Sequence, residues 1–338
     1  MRILDCHFHW WPRAYMERLS SRVVHPLAKP SDKGGYHYQR RADAQWEHFG
    51  WPAWFELERQ FEDLDRLGHD MSVISSIGPL SVHFSDFSPE EGASAARFWN
   101  EQMAWAQRKY AGRFWGTAAI PMVDTRIAIE TMERAIGDMG LVGVNIPGMV
   151  AGDPRIDAPR LEPFYARAAK LGVPIFMHPT DGYFPEKMEG YDGALYASLG
   201  RVVDVSTSTY RLVLSGIMER YPDLKVYVSH TGGALPYQSG RMDKNSTRAN
   251  LPQKPSTYLK RMWTDTTSPH VLGVKTAIEY YGLDNVMYGS DYPCWEPAEA
   301  IEIVEGLGLS AADAEKIFFG NAMRFFGLKE QTQLRKAS

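Results

Sequence analysis

The 338-residue chain contains only two cysteines, Cys6 and Cys294, which excludes a secreted scaffold held together by several disulfides. It also lacks a strong charge of one sign. The formal net charge is −4, so we expect neither nucleic acid nor an anionic membrane as a partner. No uninterrupted apolar run of about 18 residues occurs, and no signal-peptide pattern opens the sequence. These absences predict a cytoplasmic protein. We expect both cysteines to pack as small, buried apolar residues.

The chain also lacks a Pro/Gly/Ser-rich linker or a low-complexity tract, so we predict one domain over residues 1–338. Short β-branched and aromatic runs alternate with amphipathic stretches along its length. The runs predict eight strands: Ile3–His7, Met71–Ser75, Phe114–Ala118, Gly143–Ile146, Val173–His178, Lys225–His230, Met262–Asp265 and Asn285–Ser290.

The amphipathic stretches predict the helices between these strands. They are Trp54–Leu67, Glu90–Tyr110, Thr125–Met139, Leu161–Leu171, Tyr210–Tyr221, Val271–Tyr281 and Ala311–Phe326. Eight repeats of strand and helix are typical of an α/β fold of the (β/α)8 TIM-barrel type. The alternative is an open doubly wound sheet, but its Gly-rich phosphate turn is missing after the first strand, where His7-Phe8-His9 stands instead.

Polar residues at the ends of the predicted strands mark a candidate site. His7 and His9 lie two apart on the first strand, so their imidazoles point to one face. His178, His230 and Asp291 close three later strands. Because the carboxyl ends of barrel strands meet at one face, we expect these side chains to line one pocket. For each histidine alone, the alternative is a hydrogen-bonded core or surface role; for Asp291 it is a helix N-cap.

The segment over residues 12–54 is long for a connection and rich in aromatic and basic residues, so we predict an insertion after the first strand that covers the pocket as a lid. Aromatic walls with a few cations suit a flat, anionic ligand. Trp10, beside this segment, is a candidate for substrate binding. The alternative is that the aromatic residues pack the insertion onto the barrel rim or form a subunit interface.

Eight motifs over nearly the whole chain carry a resemblance to known enzymes: Asp5–His9, Gly140–Asn145, Ile175–Pro179, Leu214–Lys225, Ser229–Ala234, Gly240–Asp243, Tyr288–Pro293 and Gly320–Ala322. They resemble the amidohydrolase superfamily, and within it the metal-dependent decarboxylases typified by aminocarboxymuconate-semialdehyde decarboxylase. The resemblance implies a carbon-carbon lyase that removes CO₂, without oxidation, from a small aromatic or dienyl carboxylic acid such as a hydroxybenzoate or an aminocarboxymuconate.

The resemblance also implies roles for single residues. Those matching His7, His9, His178 and Asp291 bind one divalent metal ion in that family, and the one matching His230 is a catalytic acid/base. Asp291 is also expected to act in catalysis by tuning the bound water. Binuclear members carry a bridging Lys or Glu at the end of the fourth strand, where this chain has Val144-Asn145-Ile146-Pro147.

The one small-molecule partner that we predict is a carboxylate substrate. Arginines are the residues expected to bind its carboxylate group. The family places the arginine matching Arg241 there, often in a neighbouring subunit's site, so a homodimer is implied. The alternative for Arg241 is a helix salt bridge, for example to Asp243. In the insertion, Arg40, Arg41 or neither meets a second substrate group, and we take Arg41 as the candidate.

The chemistry of the residues agrees with these roles. Three neutral imidazoles and one carboxylate suit Zn²⁺ and, less well, Mn²⁺, and they leave a position open for water or a substrate oxygen. The same set also suits a hydrolase of a lactone, cyclic amide or ester, or a hydratase, because a bound ion activates water. A non-catalytic metal-binding barrel is a third alternative, and it requires that no position stay open.

Overall fold

The computed structural model describes residues 1–40, 42, 46–50, 52–77, 87–150, 152–179, 188, 190–247 and 249–329. Arg41, the candidate for substrate binding in the insertion, lies outside these residues. None of the described helices has both the length and the apolar character that a bilayer span needs.

Eight parallel strands form one sheet in the order β1-β5-β6-β7-β8-β9-β10-β11. Their bounds are β1 Arg2–His9, β5 Asp70–Ser76, β6 Phe114–Ala119, β7 Gly143–Pro147, β8 Ile175–His178, β9 Val226–Val228, β10 Trp263–Asp265 and β11 Val286–Met287. Each overlaps a predicted strand. The ladder is parallel at every step, as expected when helices connect the strands.

Backbone hydrogen bonds between the first strand and the residues after the last one close the sheet into a nearly complete barrel. The amide of Cys6 donates to the carbonyl of Tyr288 at 2.9 Å, and the amide of Asp291 donates to the carbonyl of His7 at 2.8 Å. The predicted (β/α)8 barrel is therefore confirmed.

Helices surround the barrel. Their bounds are α1 Arg13–Ser20, α2 Leu57–Asp65, α3 Pro89–Lys109, α4 Thr125–Gly137, α5 Glu162–Leu171, α6 Arg201–Leu214, α7 Ile217–Arg220, α8 Leu235–Asn245, α9 Pro255–Leu259, α10 Val271–Tyr281, α11 Pro297–Glu305, α12 Ala311–Glu315 and α13 Asn321–Phe326. Side-chain caps begin several of them: Ser88, Asp124 and Ser310 each accept from a backbone amide of the first turn.

One helix prediction was wrong in its bounds. The stretch Tyr210–Tyr221 belongs to two helices, because α6 begins at Arg201 and a left-handed Gly216 separates it from α7. The start of α6 was missed because serine and threonine break its apolar pattern. The hydroxyls of Thr207 and Ser208 bond back to carbonyls four residues earlier, which lets these polar residues stay helical.

The insertion over residues 12–54 contains α1 and a three-stranded antiparallel sheet, which the sequence did not predict; its strands are β2 Leu27–Pro30, β3 Tyr36–Gln39 and β4 Glu47–Phe49. Its aromatic residues pack on the start of the chain, since the Trp11 ring centre lies 4.3 Å from Trp54 and 4.6 Å from Phe49. Trp54 in turn lies parallel to His9 at 6.3 Å. The insertion therefore reaches one wall of the histidine cluster.

Candidate metal centre

A register shift in β1 aims the two histidines of the His-x-His motif. The pairing of β1 with β5 is irregular between Asp5 and Phe8. As a result Cys6 and His7, although adjacent, both reach the barrel interior: the Cys6 thiol donates to the Tyr227 hydroxyl at 3.4 Å, and the His7 ring meets Phe176 at 5.2 Å. Bulges of this kind redirect side chains near functional sites.

Four side chains from three strand ends converge inside the barrel mouth. His7 and His9 come from β1, His178 ends β8, and Asp291 follows β11. One ligand atom from each lies within 4.8 Å of the others, and all four residues are buried. Oδ1 of Asp291 is 2.9 Å from Nε2 of His9 and 3.4 Å from Nε2 of His7. The structure thus brings together the four ligands that the sequence predicted.

The ring nitrogens fit a metal ion. Each imidazole has its Nδ1 beside an acceptor: Oδ2 of Asp265 for His7 at 2.7 Å, the carbonyl of Ser76 for His9 at 3.3 Å, and the carbonyl of Pro179 for His178 at 2.7 Å. These contacts turn the three Nε2 atoms toward one point, as in known metal sites. Nε2 of His7 and Nε2 of His178 are buried without a hydrogen-bond partner among the described residues. Such orphaned acceptors are what an ion would satisfy.

Burial and mutual repulsion keep two of the rings neutral. Burial lowers the pKa of His9 from its ordinary value, and burial together with His9 and His7 holds the pKa of His178 well below it. Burial opposes protonation of His7 too, but Asp291 and Asp265 outweigh it and raise its pKa. Burial also opposes ionisation of Asp291, yet His7 and His9 hold its pKa well below the usual range. A neutral imidazole and an ionised carboxylate are the forms that bind metal.

Asp265, at the end of β10, was missed at the sequence level. Its Oδ2 holds His7 and accepts from the Tyr227 hydroxyl at 2.6 Å. The carboxylate also accepts backbone amides, from Thr231 at 3.0 Å and from Thr267 at 3.1 Å. The signal was present, because Asp265 closes a predicted strand just as His178 and Asp291 do.

His230 lies beside the four ligands but is not one of them. Its ring centre is 5.0 Å from that of His7 and 5.8 Å from that of His178, and its Nε2 has no partner among the described residues. Burial, reinforced by His7, lowers its pKa to about 4. His230 was predicted to end a strand, but the strand stops at Val228 and His230 has a φ of 55°. This left-handed conformation is uncommon outside glycine and is typical of functional turns.

The packing of the turn after His230 requires glycine. Gly232 has a φ of 78°, and a Cβ there would lie 2.2 Å from the hydroxyl of Tyr281. Asp291 also has a positive φ, of 61°. It is not a helix N-cap, because α11 begins six residues later at Pro297.

Trp10, a candidate for substrate binding, is only 4% exposed. Its indole N–H donates to the carbonyl of Phe55 at 3.3 Å, and its ring meets Phe114 edge-on at 5.8 Å. The structure therefore places Trp10 in the packing of the barrel wall. Among the described residues, the aromatic rings beside the histidines include Phe176, 5.2 Å from His7, Trp54, 6.3 Å from His9, and Trp295, 6.4 Å from His230.

Arg241 is exposed on α8 and forms no ion pair among the described residues. Its possible partner Asp243 instead accepts from the hydroxyl of Ser256 at 2.7 Å.

Cys6 is buried as predicted, but Cys294 is exposed, so the expectation that both cysteines are buried was wrong for Cys294. Cys294 lies on the turn after Asp291, whose carbonyl accepts its amide at 2.8 Å.

Comparisons with known proteins show what the chain is similar to. The chain is 27% identical over 279 residues to the 2-amino-3-carboxymuconate-6-semialdehyde decarboxylase of Dictyostelium discoideum, covering 80% of this chain and 76% of that protein. It is 28% identical over 290 residues to the gamma-resorcylate decarboxylase of a Polaromonas strain, covering 80% and 87%.

Among solved structures, a dihydroxybenzoic acid decarboxylase from Polaromonas with bound manganese and the inhibitor 2-nitroresorcinol matches with a TM-score of 0.78 at 24% identity, covering 98% of this chain and 99% of that one. The family model described as amidohydrolase matches residues 4–328. The barrel, its histidine and aspartate cluster and this match together show that the chain belongs to the amidohydrolase family.

Proposed function

We propose that the protein is a metal-dependent, non-oxidative decarboxylase of a small aromatic or dienyl carboxylic acid, hydroxybenzoate-like or aminocarboxymuconate-like. The observation that carries this proposal is Nε2 of His230, which has no hydrogen-bond partner among the described residues, beside a buried cluster of three histidines and one aspartate. An acid/base group next to an ion is what removal of CO₂ from such a substrate requires. The names of the two relatives, both decarboxylases, support the same reaction.

His7, His9, His178 and Asp291 would hold one divalent ion. When bound, the ion would supply Lewis-acid stabilisation of negative charge on a substrate oxygen. The donor set suits Zn²⁺, and the manganese in the Polaromonas structure makes Mn²⁺ the other candidate. Metal analysis of the purified protein separates the two.

His230 moves the proton. Its lowered pKa of about 4 leaves the ring neutral near pH 7, so Nε2 can accept the hydroxyl proton of a hydroxy acid substrate. The same nitrogen then delivers this proton to the carbon that bears the carboxylate. When the bond to the carboxylate breaks, its electron pair restores the conjugated system and CO₂ leaves. The products are CO₂ and a phenolate, so the reaction needs no organic cofactor and adds no water.

A hydrolase or a hydratase is the second candidate, because the same residues could direct an activated water. The products separate the candidates. CO₂ without net addition of water indicates decarboxylation, a new carboxyl group indicates hydrolysis, and a new hydroxyl group indicates hydration.

The test follows CO₂ and acid release together, on metal-quantified protein, with hydroxybenzoates, aminocarboxymuconate semialdehyde and simple lactones. We expect CO₂ release that falls by at least about a hundredfold in His7→Ala and in His230→Asn. His69→Asn is the matched control, since His69 directly precedes β5, whose first residue Asp70 pairs with Arg2 at the end of the barrel opposite the cluster. Release of acid without CO₂ would assign a hydrolase. If neither CO₂ nor acid is released, catalysis on these substrates is contradicted.

A homodimer belongs to the same proposal. Because Arg241 is exposed on α8, it would reach substrate in the site of a second copy. Co-expression of Arg241→Ala with His230→Asn tests this, since a mixed dimer holds one complete site and regains activity that neither variant has alone. A monomer in sedimentation, or no regain, would contradict it. Arg41, Trp10 and a lid role for residues 12–54 remain predictions, to be tested by single substitutions.

A further inference from the structure

A buried tyrosine lies in the barrel interior, one aromatic ring away from His7. Tyr227 is on β9, and its ring stacks on that of Phe176 with a centre-to-centre distance of 4.2 Å and an interplanar angle of 3°. Phe176 in turn meets the His7 ring at 5.2 Å. The ring of Phe325 lies edge-on to Tyr227 at 6.1 Å. Because the Tyr227 side chain is fully buried and packed between other rings, its hydroxyl has a fixed position.

The Tyr227 hydroxyl belongs to a chain of hydrogen bonds that ends at His7. It accepts from the Cys6 thiol at 3.4 Å and donates to Oδ2 of Asp265 at 2.6 Å. The same oxygen lies 2.7 Å from Nδ1 of His7. Burial raises the pKa of Tyr227 well above its ordinary value, and Asp265 raises it further, so the hydroxyl keeps its proton and stays a donor. Tyr227 and His7 therefore share one carboxylate oxygen as their partner.

The two oxygens of the Asp265 carboxylate are held in different ways. Oδ1 accepts two backbone amides, at 3.0 and 3.1 Å. Oδ2, the oxygen beside His7, accepts the Tyr227 hydroxyl at 2.6 Å, whereas the His230 amide lies farther away, at 3.3 Å. A short hydrogen bond to a carboxylate is among the strong ones. Apart from His7 itself, the Tyr227 hydroxyl is therefore the group that most closely sets the position of Oδ2.

We propose that Tyr227 is a positioning residue of the metal centre: its hydroxyl holds Oδ2 of Asp265 at the place from which this oxygen orients the His7 ring toward the ion. The inference rests on the metal site of the proposed function, and it adds a residue that acts through Asp265. Loss of the hydroxyl would leave the carboxylate with one donor fewer and let Oδ2 move relative to Nδ1 of His7. The Nε2 atom of His7 would then bind the ion less well, because the orientation of a ligand ring follows the partner of its other nitrogen.

The test removes the hydroxyl alone. Tyr227→Phe keeps the stacking on Phe176 and loses the bond to Asp265. We expect the affinity for Zn²⁺, measured by competition with a chelator, to fall by about three- to tenfold. Tyr165→Phe is the matched control, because Tyr165 on α5 is also fully buried and its hydroxyl donates to the carbonyl of Ile156 at 2.7 Å. This control should keep the affinity of the wild type, and equal affinities in the two variants would overturn the proposal.

A double variant shows whether Tyr227 acts through Asp265. When Asp265→Asn is already present, Tyr227→Phe should change the affinity by less than about twofold, because two changes in one chain of contacts do not add. A further three- to tenfold loss in the double variant would contradict the proposal.

The visible absorption spectrum of the Co²⁺-loaded protein is a second readout, since it reports the ligand geometry at the ion and does not follow the stability of the fold. The spectrum should change in Tyr227→Phe and stay as in the wild type in Tyr165→Phe. An unchanged spectrum in both variants would assign Tyr227 a role in packing only.

Neither measurement needs turnover. If Tyr227→Phe weakens metal binding but no tested acid releases CO₂, the positioning role stands and only the decarboxylase assignment fails. A wild-type protein that binds neither Zn²⁺ nor Co²⁺ would overturn both.

Discussion

Oδ2 of Asp265 lies 2.7 Å from Nδ1 of His7, and Oδ1 of the same carboxylate accepts the amide of Thr231, the residue after His230. One buried side chain thus orients His7 of the metal-binding group and holds the left-handed turn that carries His230. The metal-binding group and His230 are therefore not independent, and a change at Asp265 reaches both.

Replacing Asp265 with asparagine tests this link. The amide would offer one acceptor oxygen where the carboxylate offers two, and His7 would lose the partner that orients its ring. We expect the affinity for the metal to fall by about ten- to a hundredfold, measured by competition with a chelator. Asp284→Asn, at an exposed residue that pairs with Lys316 at 3.1 Å, is the control. An unchanged affinity in Asp265→Asn would show that the contact does not support His7.

Gly289 leaves room for the site. A Cβ there would lie 2.7 Å from Cβ of His7 and 2.9 Å from Oγ1 of Thr267. The substitution Gly289→Ala must therefore displace β1, the strand that carries His7. We expect a loss of about 1–3 kcal/mol in the free energy of unfolding together with weaker metal binding. Gly137→Ala, at the end of α4, has nothing within 4 Å and should be neutral or slightly stabilising. Urea titration measures the free energy of unfolding of both variants, and equal values for the two would contradict the prediction.

The partly buried His230, whose Nε2 is fully buried, should make metal-free protein sensitive to acid. Its pKa is about 4 when folded, against an ordinary value of 6.5. The unfolded chain therefore binds a proton first as the pH falls, and stability is lost between pH 6.5 and 4, by up to about 3 kcal/mol. Asp5 acts in the opposite direction, since burial raises its pKa to about 7. The measurement is accordingly the difference in unfolding free energy between wild type and His230→Gln, which should shrink toward low pH and stay constant if His230 does not titrate.

Metal binding should stabilise the fold. Nε2 of His178 is buried without a partner among the described residues, so metal-free protein carries an unsatisfied acceptor that an ion removes. At a metal concentration one hundred times the dissociation constant, the gain is about 2.7 kcal/mol. We expect the melting temperature to rise with metal in wild type and in His69→Asn, but not in His178→Ala. A similar rise in His178→Ala would place the ion elsewhere.

The barrel and its ligands were predictable because each strand is a short apolar run closed by a polar residue, which marks both the strand and its functional end. His7, His178 and Asp291 were found in this way. Asp265 follows the same rule but was passed over, since its role depends on contacts with His7, Tyr227 and the turn after His230, which only the folded barrel brings together.

The closure of the barrel joins the first strand to the residues after the last strand. The amide of Ser290 donates to Oδ1 of Asp5 at 3.1 Å, and the amide of Asp291 donates to the carbonyl of His7. During synthesis Asp291 follows His9 by 282 residues. A growing chain therefore cannot close the barrel or present all four ligands until Asp291 has emerged from the ribosome, so complete ligation of the ion has to wait for the last strand of the barrel.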